Sequence, residues 1–239
     1  MKTALVTGGS GGIGEAISKV LAKDGFHVIV HANKNTDKAS QIVKDIHSQG
    51  GSAELACFDL LDAAAVERYI STQLEKTGID VLINNAGIHD DAVFPGMSRL
   101  QWDRVLAVNL DGFFNITQPL VMPMIRKRWG RIVNISSVSG ITGNRGQVNY
   151  SAAKGAIHSA TKALSLEVAS RGVTVNAVAP GIIDTGMTAE VFSDDMIKSL
   201  IPMKRAGSPQ EVADLVAFLV SEKASYITGQ IISINGGMI

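Results

Sequence analysis

Tyr150 and Lys154 stand four residues apart in NYSAAK (149–154), and Ser137 closes an apolar run, RIVNISS (131–137), 13 residues before the tyrosine. If residues 150 to 165 are helical, this spacing sets the phenol and the ammonium on one face. A free phenol titrates near pH ~10, too high for proton exchange at neutrality, and an adjacent fixed cation draws that value down. Tyr150 then becomes a candidate general acid. A serine hydroxyl arriving from a strand end could hold the substrate oxygen that it protonates. The same pair is also an ordinary helix-surface contact, so its meaning depends on what the rest of the chain builds around it.

Short apolar runs alternate with longer amphipathic stretches. They read as TALVT (3–7), a helix at about 12–24, HVIVH (27–31), a helix at about 36–49, AELACF (53–58), a helix near 62–77 and DVLIN (80–84). A long helical stretch near 100–128, RIVNIS (131–136), a helix near 150–170, VTVNAVA (173–179), and a last helix and strand (231–234) complete the series. This alternation predicts a parallel sheet covered on both faces, and crossover handedness makes it a doubly wound Rossmann-type α/β fold. Neither a composition break nor a repeat divides the chain, so one domain is expected over residues 1–239. The segment from about 184 to 208 interrupts the rhythm and is a candidate substrate lid.

Twenty-two basic residues balance 22 acidic ones, so nothing in the charge calls for nucleic acid or an anionic membrane. The single cysteine, Cys57, cannot close an internal disulfide, and the absence of CxxC argues against a structural metal site. No apolar run approaches the length needed to span a bilayer. The expectation is a cytoplasmic protein with no metal.

TGGSGGIG (7–14) follows the first strand and opens the first helix, where unpaired helix N–H groups and glycine backbone can cradle a pyrophosphate. Gly9, Gly11 and Gly14 satisfy GxGxxG, while Gly8, Gly12 and Gly14 satisfy TGxxxGxG; an ordinary βα turn is the alternative. The end of the second strand decides which dinucleotide binds, because an acid there holds the adenosine ribose and repels a 2′-phosphate. HVIVHANKN (27–35) carries no acid, and Asn33 and Lys34 could donate to a phosphate with help from His31. NADP(H) is therefore the expected cofactor, with a solvated Lys34 as the plainer alternative.

TGGSGGIG, NNAG (84–87), the asparagine of VNL (108–110), Ser137, YSAAK and PGIIDT (180–185) occur in the order and spacing of the short-chain dehydrogenase/reductase family, which the chain resembles over its whole length. The resemblance implies that Tyr150 is the proton donor. It also implies that Lys154 lowers the phenol pKa and binds the nicotinamide ribose, that Ser137 orients the carbonyl, and that the Asn109 backbone carbonyl holds a relay water. It places Gly8, Ser10, Gly11, Gly12, Ile13 and Gly14 on the pyrophosphate, and Asp59 and Leu60 at the adenine. Asn84, Asn85, Ala86 and Gly87 lie at the central sheet and adenosine ribose, and Pro180, Gly181, Ile183 and Thr185 at the carboxamide. Asn109 could also be a helix-kink residue, and Asp59 the N-cap of the next helix.

GRIVNISSVSG (130–140), GNRGQVNYSAAKG (143–155), ASRGVTVNAVAPGIIDTGMT (169–188) and ITGQIISINGGM (227–238) resemble, within the family, 3-oxoacyl-[acyl-carrier-protein] reductases and acetoacetyl-CoA reductases. That resemblance implies NADPH-dependent reduction of a 3-oxoacyl thioester, in fatty-acid or polyene-type assembly. It also implies a homotetramer built on the helices near 100–128 and 150–170 and the strand 231–234. Arg128 and Arg171 match carrier-docking positions, or are solvated charges. Glu15 stands where many carrier-dependent relatives have a basic residue that binds the 2′-phosphate, and IHDDAVF (88–94) departs from the usual basic-then-acidic pattern. The same four residues would serve oxidation of another secondary alcohol. A regulatory protein that had kept the fold and lost the chemistry would be expected to have a broken tetrad.

Overall fold

The computed structural model describes residues 1–185 and 193–239. Strands β1 (Thr3–Val6), β2 (His27–Ala32), β3 (Ser52–Cys57), β4 (Val81–Asn84), β5 (Gly130–Ile135), β6 (Val173–Pro180) and β7 (Ile231–Ile234) form one parallel sheet in the order β3-β2-β1-β4-β5-β6-β7. Connections run through α1 (Gly12–Lys23), α2 (Thr36–Ser48), α3 (Ala63–Lys76), α4 (Arg99–Leu106), α5 (Gly112–Lys127), α6 (Ser139–Thr142), α7 (Val148–Val168), α8 (Asp194–Leu200) and α9 (Pro209–Val220).

Strand residues alternate between two apolar layers, as the period of two demands. Ala4 and Val6, Val28 and Val30, and Val81 and Ile83 pack with Ile17 and Leu21 of α1 and with Val212, Val216 and Leu219 of α9. Leu5, Ile29, Leu82 and Ile132 point the other way, against Ile70 of α3 and Ile116, Leu120 and Met124 of α5. β1, β4, β5 and β6 are buried at every position on both faces, which is why they read as mostly apolar runs, with Arg131, Asn134, Thr174 and Asn176 as buried polar exceptions in β5 and β6.

Two predicted helices differ from expectation in ways that bear on the site. The stretch near 100–128 is interrupted by a π-helical turn, Ala107–Asp111, between α4 and α5. Helix α7 begins at Val148, so Tyr150 lies in its first turn.

Candidate active site

Strand order reverses between β1 and β4, and in a parallel sheet the carboxyl ends of such strands flank the ligand crevice. Thr7 Oγ1 accepts from the N–H groups of Asn85 and Ala86, each at 3.0 Å. The Asn85 amide donates to the Thr7 and Gly8 carbonyls, again at 3.0 Å. Gly8 has φ +61°, and a Cβ there would sit 2.9 Å from Ala86 Cα; one on Gly14 would sit 2.7 Å from Asn85 Nδ2. Glycine at these positions lets the start of α1 close onto the end of β4. The N–H groups of Gly12, Ile13 and Gly14 precede the first i→i−4 bond, from Glu15 to Gly11, and fit an anion beside Ser10.

Asn33 and Lys34 are exposed just past β2, within reach of solvent and of a phosphate. His31 is not available to help them. It is 2% exposed, one ring nitrogen accepts from Gly8 N–H at 3.3 Å, and the other meets the Phe58 carbonyl at 2.9 Å. Burial holds its pKa below the usual histidine value, so the ring is neutral and braces the glycine turn instead. Glu15, the acid on the first turn of α1, pairs with Lys19 at 2.8 Å and with Lys38 of α2 at 3.4 Å. Its charge is thus compensated from two sides.

Across the crevice, Ser137 follows β5 and its hydroxyl lies close enough to the Tyr150 phenol to draw the phenol pKa down. Lys154 Nζ lies 5.6 Å from the centre of the Tyr150 ring and donates to the Ile135 carbonyl at 2.9 Å. Sequence reasoning expected the ammonium to lower the phenol pKa, but in the structure burial dominates both groups. The phenol is held above its ordinary value by burial, against the pull of the Ser137 hydroxyl and with a contribution from the Asp91 carboxylate. Burial also pulls Lys154 down to about 8. Each group is desolvated, so its charged form is disfavoured.

Asn109 sits in the π turn, 3% exposed, and its amide donates to the Ile88 and Val105 carbonyls at 2.7 and 2.8 Å. Its Oδ1 has no hydrogen-bond partner, and a Cβ on Gly87 would lie 2.5 Å from that oxygen and 3.2 Å from Lys154 Nζ. A π turn is a frequent way to aim one residue of a helix into a site. A narrow cavity beside it is lined by the polar Thr7, Asn84, Asn109, Asn134 and Lys154 and by the apolar Leu60, Phe113, Ile135 and Ile157. The kink reading of Asn109 and its placement in the site therefore coincide.

The remaining candidates divide. Asp59 is exposed, and its Oδ1 accepts from Leu61 N–H at 2.9 Å; the cap of α3 is Asp62, which accepts from Ala65 N–H at 2.9 Å. The capping alternative for Asp59 is therefore excluded. Leu60 is buried, with its carbonyl bound by Asn115, so its backbone N–H is the group left to face a ligand. Gly181 bonds back to Ile234, the Pro180 carbonyl accepts from Val138, and Ile183 bridges to Gly207. A Cβ on Gly12 would fall 3.2 Å from Thr185, so the segment after β6 meets the glycine turn. Of the proposed lid, residues 186–192 lie outside the described residues, α8 follows, and Ile201 and Gly207 are packed into the fold.

Arg128 and Arg171 are near one another, Arg128 Nη2 meeting the Ser170 carbonyl at 3.4 Å, but not near Tyr150. They precede β5 and β6, whereas Ser137 follows β5, and six strand residues separate the two ends by roughly 20 Å.

Sequence reasoning missed three neighbours of Tyr150. Asn149 is fully buried, accepts from Tyr150 N–H at 2.8 Å and donates to the Asp90 carbonyl at 3.0 Å, which pins the loop after β4 to α7. The His89 ring stands edge-on to the Tyr150 ring at 6.3 Å, and His89 pairs with Asp91 at 3.1 Å. The departure of IHDDAVF from the usual pattern was the available signal.

The sequence comparisons agree with this geometry. A family model described as short chain dehydrogenase matches residues 2–196. The chain belongs to the short chain dehydrogenase family. This short chain dehydrogenase is an oxidoreductase of a family that uses a nicotinamide cofactor, and the glycine cradle fits one. It is 46% identical over 239 residues to the 3-oxoacyl-[acyl-carrier-protein] reductase FabG of Aggregatibacter actinomycetemcomitans, covering 99% of both chains. It is 48% identical over 242 residues to the protein of the same name from Aquifex aeolicus, covering 99% of this chain and 97% of that one. Nodulation protein G of Azospirillum brasilense is 43% identical over 240 residues, with 99% and 98% covered. Among the described residues no helix is long and apolar enough to cross a membrane.

Proposed function

We propose that this short chain dehydrogenase reduces the 3-oxo group of a 3-oxoacyl thioester, carried by an acyl carrier protein, to the 3-hydroxyacyl thioester. The observation that carries this reading is the convergence of Ser137, Tyr150, Lys154 and Asn109 on the crevice that the glycine turn opens. Relatives named for that reaction, at 46% and 48% identity, support the substrate class.

NADPH, when bound, supplies hydride to the C3 carbonyl carbon. Ser10, Gly8, Gly11, Gly12, Ile13 and Gly14 would hold its pyrophosphate. Asp59 and Leu60 would hold the adenine; Asn85, Ala86 and Gly87 line the adenosine ribose, and Pro180, Gly181, Ile183 and Thr185 the carboxamide. Asn33 and Lys34 meet the 2′-phosphate, and Lys38 shields it from Glu15. Ser137 Oγ orients the carbonyl oxygen, and the phenol of Tyr150, kept protonated by its burial, gives that oxygen its proton. Lys154, buried and drawn down to about 8, binds the nicotinamide ribose and can return a proton to Tyr150 by way of the Asn109 turn.

The protein acts in the cytoplasm as a homotetramer. Phe114 and Met122 on α5 and Leu166 on α7 are 61%, 50% and 85% exposed in the single chain, which supports burial of these helices against further copies. Arg128 and Arg171 form the carrier-docking surface, remote from the Tyr150 of their own chain.

Comparing acetoacetyl and longer 3-oxoacyl groups, on carrier protein and on coenzyme A, each with NADPH and NADH, tests the reading. Fastest turnover is expected for carrier-bound substrates with NADPH. Inactivity on every thioester would overturn the substrate class.

A further inference from the structure

His158 lies one helical turn beyond Lys154 on α7 and takes no part in the chemistry just described. Its Nε2 is 2.6 Å from the hydroxyl of Ser136, which is 4% exposed. The same hydroxyl lies 3.3 Å from the Lys154 carbonyl. On its other side the ring packs against the backbone of Gly140. Ser136 precedes Ser137 and Gly140 follows it by three residues, so one imidazole holds both flanks of the loop that presents Ser137.

The fit around the ring leaves little slack. A Cβ on Gly140 would lie 2.8 Å from the Lys154 carbonyl carbon, 2.9 Å from Gly155 N and 2.9 Å from His158 Cε1, so the loop backbone is pressed directly against α7. Burial first, then the charges of Lys162 and Lys154, hold the ring below the ordinary histidine pKa, against the nearby Gly140 backbone. The neutral ring and the Ser136 hydroxyl share one hydrogen bond at Nε2, whichever of the two donates.

We infer that His158 is a positioning residue, which acts through Ser136 and Gly140 to hold the Ser137 hydroxyl against the Tyr150 phenol. The inference rests on the proposed roles of Ser137 and Tyr150. Tyr150 and Lys154 are fixed by the helix itself, but Ser137 comes from a separate element whose distance to α7 must be set by side chains. His158 spans that gap at Ser136, the residue next to Ser137, while Lys154 and Thr161 span it further back at Ile135 and Asn134.

The test is a double-mutant cycle on the full-length protein, reading kcat, the KM for thioester and the Kd for NADPH. His158→Leu should lower kcat by about tenfold or more, the scale expected when a group near the reacting atoms is displaced by under an ångström, with NADPH affinity unchanged. Ser136→Ala, which removes the hydroxyl without adding bulk, should reproduce that loss. His158→Gln keeps a donor and an acceptor and should recover most of kcat. Combined with Ser137→Ala, His158→Leu should cost nothing further, because it acts through Ser137.

A folded His158→Leu protein with the kcat of the parent would overturn the inference, and so would a loss that adds fully to that of Ser137→Ala. If His158→Leu fails to fold, Ser136→Ala and His158→Gln decide, and parental kcat in Ser136→Ala rejects the tether. Near-full activity in Ser137→Ala alone would instead reject the underlying reading of the site.

Discussion

The two ends of the same parallel sheet are built on opposite principles. At the amino end, charged groups find partners across elements. Asp80 is 2% exposed, accepts from Thr3 N–H at 2.9 Å and takes an ion pair from Lys127. Trp129 lies between Lys2 and Arg131, at 3.5 and 4.5 Å, and donates to Glu222 at 3.0 Å. Glu222 in turn pairs with Lys2 and Arg131, although Arg131 Nε is left without a partner. At the carboxyl end, by contrast, Lys154 is buried with no carboxylate beside it among the described residues, and the Oδ1 atoms of Asn84 and Asn109 go unpaired. One end spends its polar groups on the fold. The other leaves two amide oxygens and an uncompensated lysine beside the crevice.

The contrast can be broken from either side. The largest effect is expected for Tyr150→Phe, which removes the proton donor while keeping the ring; turnover, followed by NADPH consumption, should fall by at least ~100-fold with the melting temperature and NADPH binding little changed. Retained turnover would show that the proton comes from elsewhere.

Asp80→Ala should do the reverse. It strips a buried carboxylate from the Thr3 amide and from Lys127, and a loss of about 3 kcal/mol in urea unfolding is expected. Activity per folded molecule should stay at the parental level.

Lys154→Met sharpens the comparison through pH. The lysine has a folded pKa of about 8 against an ordinary 10.5, so between those values the unfolded chain binds more protons than the folded one. Stability of the parent should therefore rise with pH across that window, the burial penalty being fully present below it. The variant, free of the penalty, should be more stable at pH 7 by up to about 3 kcal/mol, and its advantage should shrink towards pH 10. A constant difference would mean that Lys154 is better solvated than its burial indicates.

The smallest effect is expected at Lys38→Ala. Without that partner the Glu15 charge is left to Lys19 alone, and the preference for NADPH over NADH in kcat/KM should drop by about fivefold, the scale of one partly exposed charge contact.

The sheet was legible because its interior strands are buried on both faces and mostly apolar, and because a helix such as α2 keeps a helical period, with Ala39, Ile42 and Ile46 buried. Tyr150, Lys154 and the glycine turn were legible because their geometry follows from spacing within one element. What escaped depends on contacts between elements. His31 looked like a phosphate ligand because the sequence does not show that Phe58 and Gly8 take its two nitrogens. Glu15 looked like a liability because Lys38 belongs to a different helix. Asp62 capped α3 in place of Asp59, three positions earlier, because both are aspartates before an apolar run. The π turn around Asn109 was legible only as a kink, since one added residue barely disturbs an apolar pattern.

That π turn also sets an angular phase. Gly112, Ile116, Leu120 and Met124 of α5 are buried at steps of four, and their heading depends on the register handed over by residues 107–111. Removing one residue there would turn α5 by about 100° relative to α4 and swing the exposed Phe114 and Met122 away from their present direction. A single-residue change in chain length would then reset, in one step, the site asparagine, the core face and the outward apolar face of the molecule.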